Sequence, residues 1–182
     1  MNNKMEIILV GELGPPHERY VDHCIERITK IEINVVYVYV DSIGGVSQTS
    51  VNIFLKLKKL KKQGVEFHTV GNNSVKSGAL LIFLLGVSRL LMPGTEVMYH
   101  HHGKMITLNG KMSSRKGLYL LLGKEGYIEQ LRRIEGLNRK IDAEIILVTG
   151  MTIERLREIE EIDLDVAEAI DFKFATGTKN NF

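Results

Sequence analysis

Residues 34–40, "NVVYVYV", limit what this chain can fold into more than any other stretch. The run is β-branched or aromatic almost throughout and only seven residues long. It predicts a strand covered on both faces, as parallel strands are when helices pack above and below them. "DSIGG" at 41–45 supplies a turn. Residues 46–62 carry helical spacing that Gly64 ends, and 65–70 make the next strand. Upstream, 6–10 is a short β-rich run and Gly14-Pro15-Pro16 breaks the chain. Residues 19–31 place Tyr20, Val21, Cys24, Ile25, Ile28 and Ile31 on one helical face. Strand, helix, strand, helix with short links implies an α/β class with a largely parallel, doubly covered sheet.

Further along, "GNNSVKSGA" runs into an apolar helix at 80–85, and strands follow at 89–92 and 96–100. Residues 103–112 read as an exposed loop or hairpin. A long helix is expected at 114–148, with Gly117, Gly123, Gly126 and Gly136 weakening it. Thr149-Gly150 stops it, and Thr152 is placed to cap a short helix ending near 159. The polar tail at 176–182 is expected to fray. There is no internal repeat and no interdomain linker, so residues 1–182 read as a single domain.

Composition removes several function classes. At 182 residues, 44% hydrophobic and 25% charged, the chain suits one ordinary globular core. A net charge of +2 gives no reason to expect nucleic acid. Lys56, Lys58, Lys59, Lys61 and Lys62 read as a solvated helix face. The single cysteine, Cys24, rules out an internal disulfide and reads as a packed thiol. No signal-peptide pattern opens the sequence, and its longest strongly apolar run, 79–85, is too short for a bilayer. The expected compartment is cytoplasmic, with no membrane partner.

The residues able to carry chemistry are individually modest. Ser77 stands at a strand-to-helix turn before Gly78-Ala79, where a hydroxyl lies beside unpaired helix N–H groups. His100 ends a strand, a position suited to a general base. His100, His101 and His102 alternate between faces and lack a further ligand at metal-site spacing, so no metal is expected. Gly44-Gly45 allows close backbone approach or positive φ but fits no dinucleotide or phosphate fingerprint.

Taken in order, these segments resemble the proteolytic subunit of the Clp protease, including its prophage-like relatives, from about residue 7 to 174. "IILVGEL" is similar to the family's opening strand and "VYVYVDSIGG" to the strand leading into its substrate-side turn. "SGALLIFLLG" resembles the nucleophile helix, and "RLLMPGTEVMYH" the segment bearing the catalytic histidine. "TGMTIERLREIEEID" resembles the stretch bearing the catalytic aspartate, and "AEAIDF" the helix after it.

The resemblance implies a Clp- and crotonase-like spiral of mostly parallel strands, with a protruding handle spanning about 103–148. It implies a serine endopeptidase with Ser77 as nucleophile, His100 as base and Asp163 as orienting carboxylate, with Asp165 as fallback. Gly44, Gly45 and Gly78 would serve the oxyanion and the substrate, and no cofactor is implied. Two alignments compete at the nucleophile. One puts Lys76 at that position and implies a catalytically inactive structural subunit. The other keeps Ser77, nine residues before Gly86 and so twenty-three before His100, and needs two extra residues between Gly71 and Ser77. Insertions are easier in a turn than in a packed helix, which favours Ser77. Ser74 is third. The implied partners are a peptide or unfolded protein and further copies of the chain, in a ring or double ring. The apolar run 118–122 would be interface, and peptide would add as a strand beside 103–112. The family's AAA+ ATPase unfoldase meets an axial loop ahead of the first strand, and about five residues precede it here, which speaks against that docking. Lys173 stands where the family usually has glycine. A crotonase-type acyl-CoA enzyme shares the glycine turns and the spiral, without a residue here that specifically points to it.

Overall fold

In the computed structural model, residues 4–101, 105–108 and 111–179 are described, with 47, 105–108 and 111–123 described by backbone alone. Strand β1 (Lys4–Val10) pairs in parallel with β2 (Val35–Ser42), and β2 pairs with β3 (Glu66–Lys76). Helix α1 (Pro15–Lys30) and helix α2 (Ser47–Lys62) form the crossovers. α1 starts earlier than its apolar spacing suggests. Pro15 and Pro16 occupy the first turn, where a missing N–H costs nothing and the fixed φ is already helical.

β3 is the axis of the molecule, and it forks. Its first half, His68 to Gly71, pairs with β4 (Ser88–Leu91). Its second half, Ser74 to Lys76, pairs with β5 (Glu96–Met98). Between the halves lies a bulge: Val40 faces Gly71 and Ser42 faces Val75, so four steps on β3 oppose two on β2. Asn73 takes a positive φ of 46° there. The expected turn at 71–76 is therefore strand, and the two surplus residues are absorbed by the bulge. Helix α3 (Gly78–Phe83) follows directly, every residue buried.

Beyond β5, β6 (Met105–Leu108) and β7 (Lys111–Ser114) form an antiparallel hairpin. The 35-residue helix α4 (Arg115–Thr149) comes next and ends at Gly150, whose φ is +72°. Thr152 caps α5 (Ile153–Glu158) by accepting from the Arg155 N–H at 3.2 Å. β8 (Asp163–Leu164) runs antiparallel to β5, and α6 (Val166–Asp171) starts at an Asp165/Glu168 capping box. The tail is not frayed up to Lys179: β9 (Gly177–Thr178) pairs with β4, and Thr176 clasps Arg89 from both sides.

The core lies on one face of the sheet. Ile7, Leu9, Val36, Val38, Val40 and Phe67 are buried there among residues of α1, α2 and α3. The other face of β1 and β2 is open in the isolated chain, with Ile8 52% and Val10 56% exposed. The expectation of a strand covered on both sides is thus corrected. Tyr37 stacks on His68, and Lys4 and Lys179 lie over Tyr37 and Tyr39, so aromatic rings take the place of a second helical layer. The lysines of α2 are likewise not a plain solvated face. Lys56 pairs with Glu18 and Asp22, Lys58 with Glu144, and Lys61 donates to the Leu85 carbonyl at 2.7 Å. Cys24 is a buried free thiol, and burial raises its pKa. No helix among the described residues is long and apolar enough to cross a membrane.

Candidate active site

Where β3 ends, the chain must turn sharply to enter α3, and Ser77 makes that turn. Its φ of 55° and ψ of −128° lie in a region that L residues rarely occupy. Its N–H donates to the Met98 carbonyl at 2.9 Å, which ties the turn to β5. Two glycines make the strained conformation possible. Gly44, at φ +94°, lies so close that a Cβ there would stand 2.7 Å from the Ser77 Cβ and 3.1 Å from its Oγ. Gly78 packs against Ser50 of α2 with no space for a side chain. Gly45 is pressed onto the backbone of Leu13, with which it bridges. The Gly44 N–H is already given to Ser42 Oγ at 3.0 Å. In the first turn of α3, the N–H groups of Gly78 and Ala79 precede the first that an intrahelical carbonyl can satisfy.

Ser77 and His100 line one small cleft with Leu80, Leu81, Tyr99, Ile141 and Ile145. The His100 Nδ1 lies 2.9 Å from the His101 carbonyl oxygen. A carbonyl only accepts, so Nδ1 carries the proton and Nε2 is the unprotonated nitrogen of the neutral ring.

The acidic residues are less simply arranged. Asp163 begins β8 opposite Met98, and its Oδ1 lies 2.6 Å from the Lys76 ammonium. Lys76 also reaches Glu96 at 2.5 Å. Burial works against this ammonium, but its bonds to Asp163 and Glu96 outweigh that and raise its pKa above the ordinary lysine value. Asp165, the fallback, is spent on the α6 N-cap, accepting from the Glu168 N–H at 2.9 Å. Ser74 sits within β3, its buried Oγ lacking a hydrogen-bond partner among the described groups. His102, residues 103, 104, 109 and 110 of the expected loop or hairpin, and the side chains of 118–122 lie outside the described residues. Among the described residues, no group of three or more His, Cys, Asp or Glu side chains is arranged to hold a metal ion.

A second constellation was missed in the sequence. Asp142 of α4 has a side chain only 6% exposed. It accepts from the Tyr99 hydroxyl, from Arg157 Nη2 at 2.6 Å and from His101 Nε2 at 3.1 Å. Glu160 closes the group, accepting from the His101 N–H at 3.0 Å. Burial alone would raise the pKa of Asp142, yet the bonds from Tyr99, Arg157 and His101 outweigh it and hold the carboxyl below its ordinary value. Tyr99, buried and facing that carboxylate, is pushed well above the usual phenol range. This network pins the residues on both sides of His100 to α4 and α5. Its only sequence signal is an aspartate within the apolar run "IDAEIILV".

No family model and no curated protein matches the sequence. Solved structures do match its fold. ClpP1 from Listeria monocytogenes superposes with a TM-score of 0.75 at 18% identity, covering 97% of this chain and 92% of that one. The ClpP1 N165D mutant from the same organism gives 0.76 at 20% identity, covering 97% and 91%. The chain therefore has the Clp proteolytic-subunit fold over nearly its whole length, an α/β domain as the sequence suggested.

Proposed function

We propose, from the premise of a Clp-type fold, that this chain is a serine endopeptidase subunit that cleaves peptides or unfolded proteins through an acyl-enzyme. The observation that carries the reading is Ser77: a strained serine at the mouth of a buried helix, sharing a cleft with His100. Its Oγ attacks the scissile carbonyl carbon while the Oγ proton passes to His100 Nε2. The protonated imidazole then gives that proton to the departing amine, leaving an ester on Ser77. Water deprotonated by His100 cleaves the ester and restores the serine. Asp163 is the carboxylate that would stabilise the imidazolium. The N–H groups of Gly45 and Gly78 would receive the oxyanion, and Gly44 contributes by having no side chain beside Oγ.

A serine–lysine mechanism fits less well. Lys76 is bound to two carboxylates, and its raised pKa disfavours the neutral amine that a base must be. The inactive-subunit reading, with Lys76 as nucleophile-site substitute, has one observation in its favour: Asp163 is engaged by that lysine rather than offered to the imidazole. Against it stands the bulge at Asn73, which takes up the two extra residues that the Ser77 alignment requires. Assembly into a ring or double ring and a cytoplasmic setting belong to this proposal. The open β1–β2 face with Ile8 and Val10 supports assembly.

A fluorophosphonate probe tests the reading. Wild type should label and Ser77→Ala should not, with hydrolysis of an unfolded substrate lost in parallel. Equal labelling of the two proteins, or hydrolysis that survives in Ser77→Ala, would refute it.

A further inference from the structure

Two consecutive glycines beside Ser77 form a turn with many accessible conformations, and something must choose one of them. We propose that Ser42 is a positioning residue for the oxyanion site: its buried hydroxyl takes up the Gly44 N–H and so leaves the Gly45 N–H as the donor that the turn offers. The inference deepens the serine-hydrolase reading and rests on it for its activity arm.

Ser42 is the last residue of β2 and is 1% exposed. Its Oγ donates to the Gly11 carbonyl at 2.5 Å and accepts from the Gly44 N–H at 3.0 Å. The hydroxyl thus serves as donor and acceptor at once, tying the end of β1 to the turn. The link after β1 holds the turn a second time. The Leu13 N–H donates to the Gly44 carbonyl at 2.6 Å, and the Val46 N–H to the Leu13 carbonyl at 2.9 Å. In a trans peptide the C=O and the following N–H point in opposite directions. With the Gly44 carbonyl aimed at Leu13, the Gly45 N–H is aimed away from it. Among the described groups that N–H has no partner, whereas those of Gly44 and Val46 on either side each have one. The turn also lies against Ser77, since a Cβ on Gly44 would stand 3.1 Å from the Ser77 Oγ. An unpaired donor beside a serine hydroxyl is what a developing oxyanion needs. Without the Ser42 hydroxyl, the Ile43–Gly44 peptide loses the bond that fixes its rotation, and the turn no longer presents one chosen N–H.

The test compares Ser42→Ala, which loses the hydroxyl, with Ser42→Thr, which keeps it on a side chain suited to a strand. Two quantities are read. One is kcat for a matched peptide ester and thionoester, because a thiocarbonyl sulfur accepts hydrogen bonds poorly and gains little from an oxyanion donor. The other is hydrogen exchange at the Gly44 and Gly45 amides, resolved by fragmentation mass spectrometry. Ser42→Ala should lower kcat for the ester about ten-fold or more, against the roughly 10²–10³-fold cost of deleting such a donor outright, and the ester-to-thionoester ratio should fall with it. KM should move less than about three-fold, and Ser42→Thr should recover most of the loss. In the wild type the Gly44 amide should exchange at least about ten-fold more slowly than that of Gly45. Ser42→Ala should abolish the difference while the amides of β2 stay protected. An ester-to-thionoester ratio unchanged in Ser42→Ala, or a Gly44 amide as fast as Gly45 in the wild type, overturns the proposal. The wild-type exchange needs no substitution, so it decides even where Ser42→Ala does not fold. Absence of ester hydrolysis in the wild type would defeat the hydrolase reading instead, and the two amides would still decide whether Ser42 orders the turn.

Discussion

Asp142→Ala is the sharpest probe of how this fold holds its histidine. The carboxylate is 94% withdrawn from solvent and receives hydrogen bonds from Tyr99, Arg157 and His101. Breaking a buried charge pair by removing one partner costs about 3–5 kcal/mol. The Arg157 side chain is 39% exposed and can partly return to water, so the lower end applies. Tyr99 cannot do so, being 3% exposed: its oxygen still accepts from Arg157 Nη1 at 3.2 Å, but its O–H loses its acceptor, and an unsatisfied buried donor costs about 1–3 kcal/mol. A loss of about 3 kcal/mol is expected, read by urea unfolding at fixed protomer concentration. Replacing the whole group, as Tyr99→Phe with Asp142→Leu and Arg157→Met, should cost much less, because no orphaned charge remains. The pH dependence has a definite sign. The Asp142 pKa is lowered in the folded chain, so its stabilisation is present above the unfolded value of about 3.9 and lost as pH falls through the folded one. Asp142→Asn should flatten that acid limb. A cost under about 1 kcal/mol for Asp142→Ala, or a triple variant as unstable as the single one, would refute the reasoning.

Two further outcomes follow from backbone geometry. Gly78→Ala drives a methyl into Ser50 and should destabilise by about 1–3 kcal/mol, while adding Ser50→Gly should recover most of the loss; thermal unfolding of the three proteins checks this. Lys173 adopts φ +59°, so Lys173→Gly should stabilise by about 1 kcal/mol, seen as a raised thermal midpoint.

The elements legible in the sequence were those whose local pattern and tertiary setting agree. Apolar periodicity located α1, α2 and α3, and Thr152 marked the start of α5 where its hydroxyl caps the helix. The failures have separate physical causes. A β-branched strand implies burial, but which partner covers each face is a property of the assembled sheet, and β2 has helices on one face only. Charged helix positions read as solvated, yet Lys56 and Lys58 bridge to α1 and α4 because those helices happen to lie within reach of a long side chain. The tail at 176–179 is too polar to advertise a strand, and it is one because β4 offers an unpaired edge.

The site separates along the same line. Ser77 and His100 were visible because each sits at the end of a strand whose neighbours have strong local signatures. Lys173, where the resemblance led one to expect glycine, does take a φ of +59°, a conformation that favours glycine. What could not be read was the choice of partner for each charge. Lys76 and Ser77 are consecutive, so strand alternation sends one toward β8 and leaves the other at the helix mouth. That single step decides that the ammonium meets Asp163 while the hydroxyl meets the His100 cleft. The same alternation splits the histidines: His100 turns to the cleft it shares with Ser77 and His101 to Asp142 and Arg157. A one-residue change of register at either place would exchange a cleft-lining group for one held in a charge network. The bulge at Asn73 sets that register at Ser77, far enough upstream that no motif around the serine announces it.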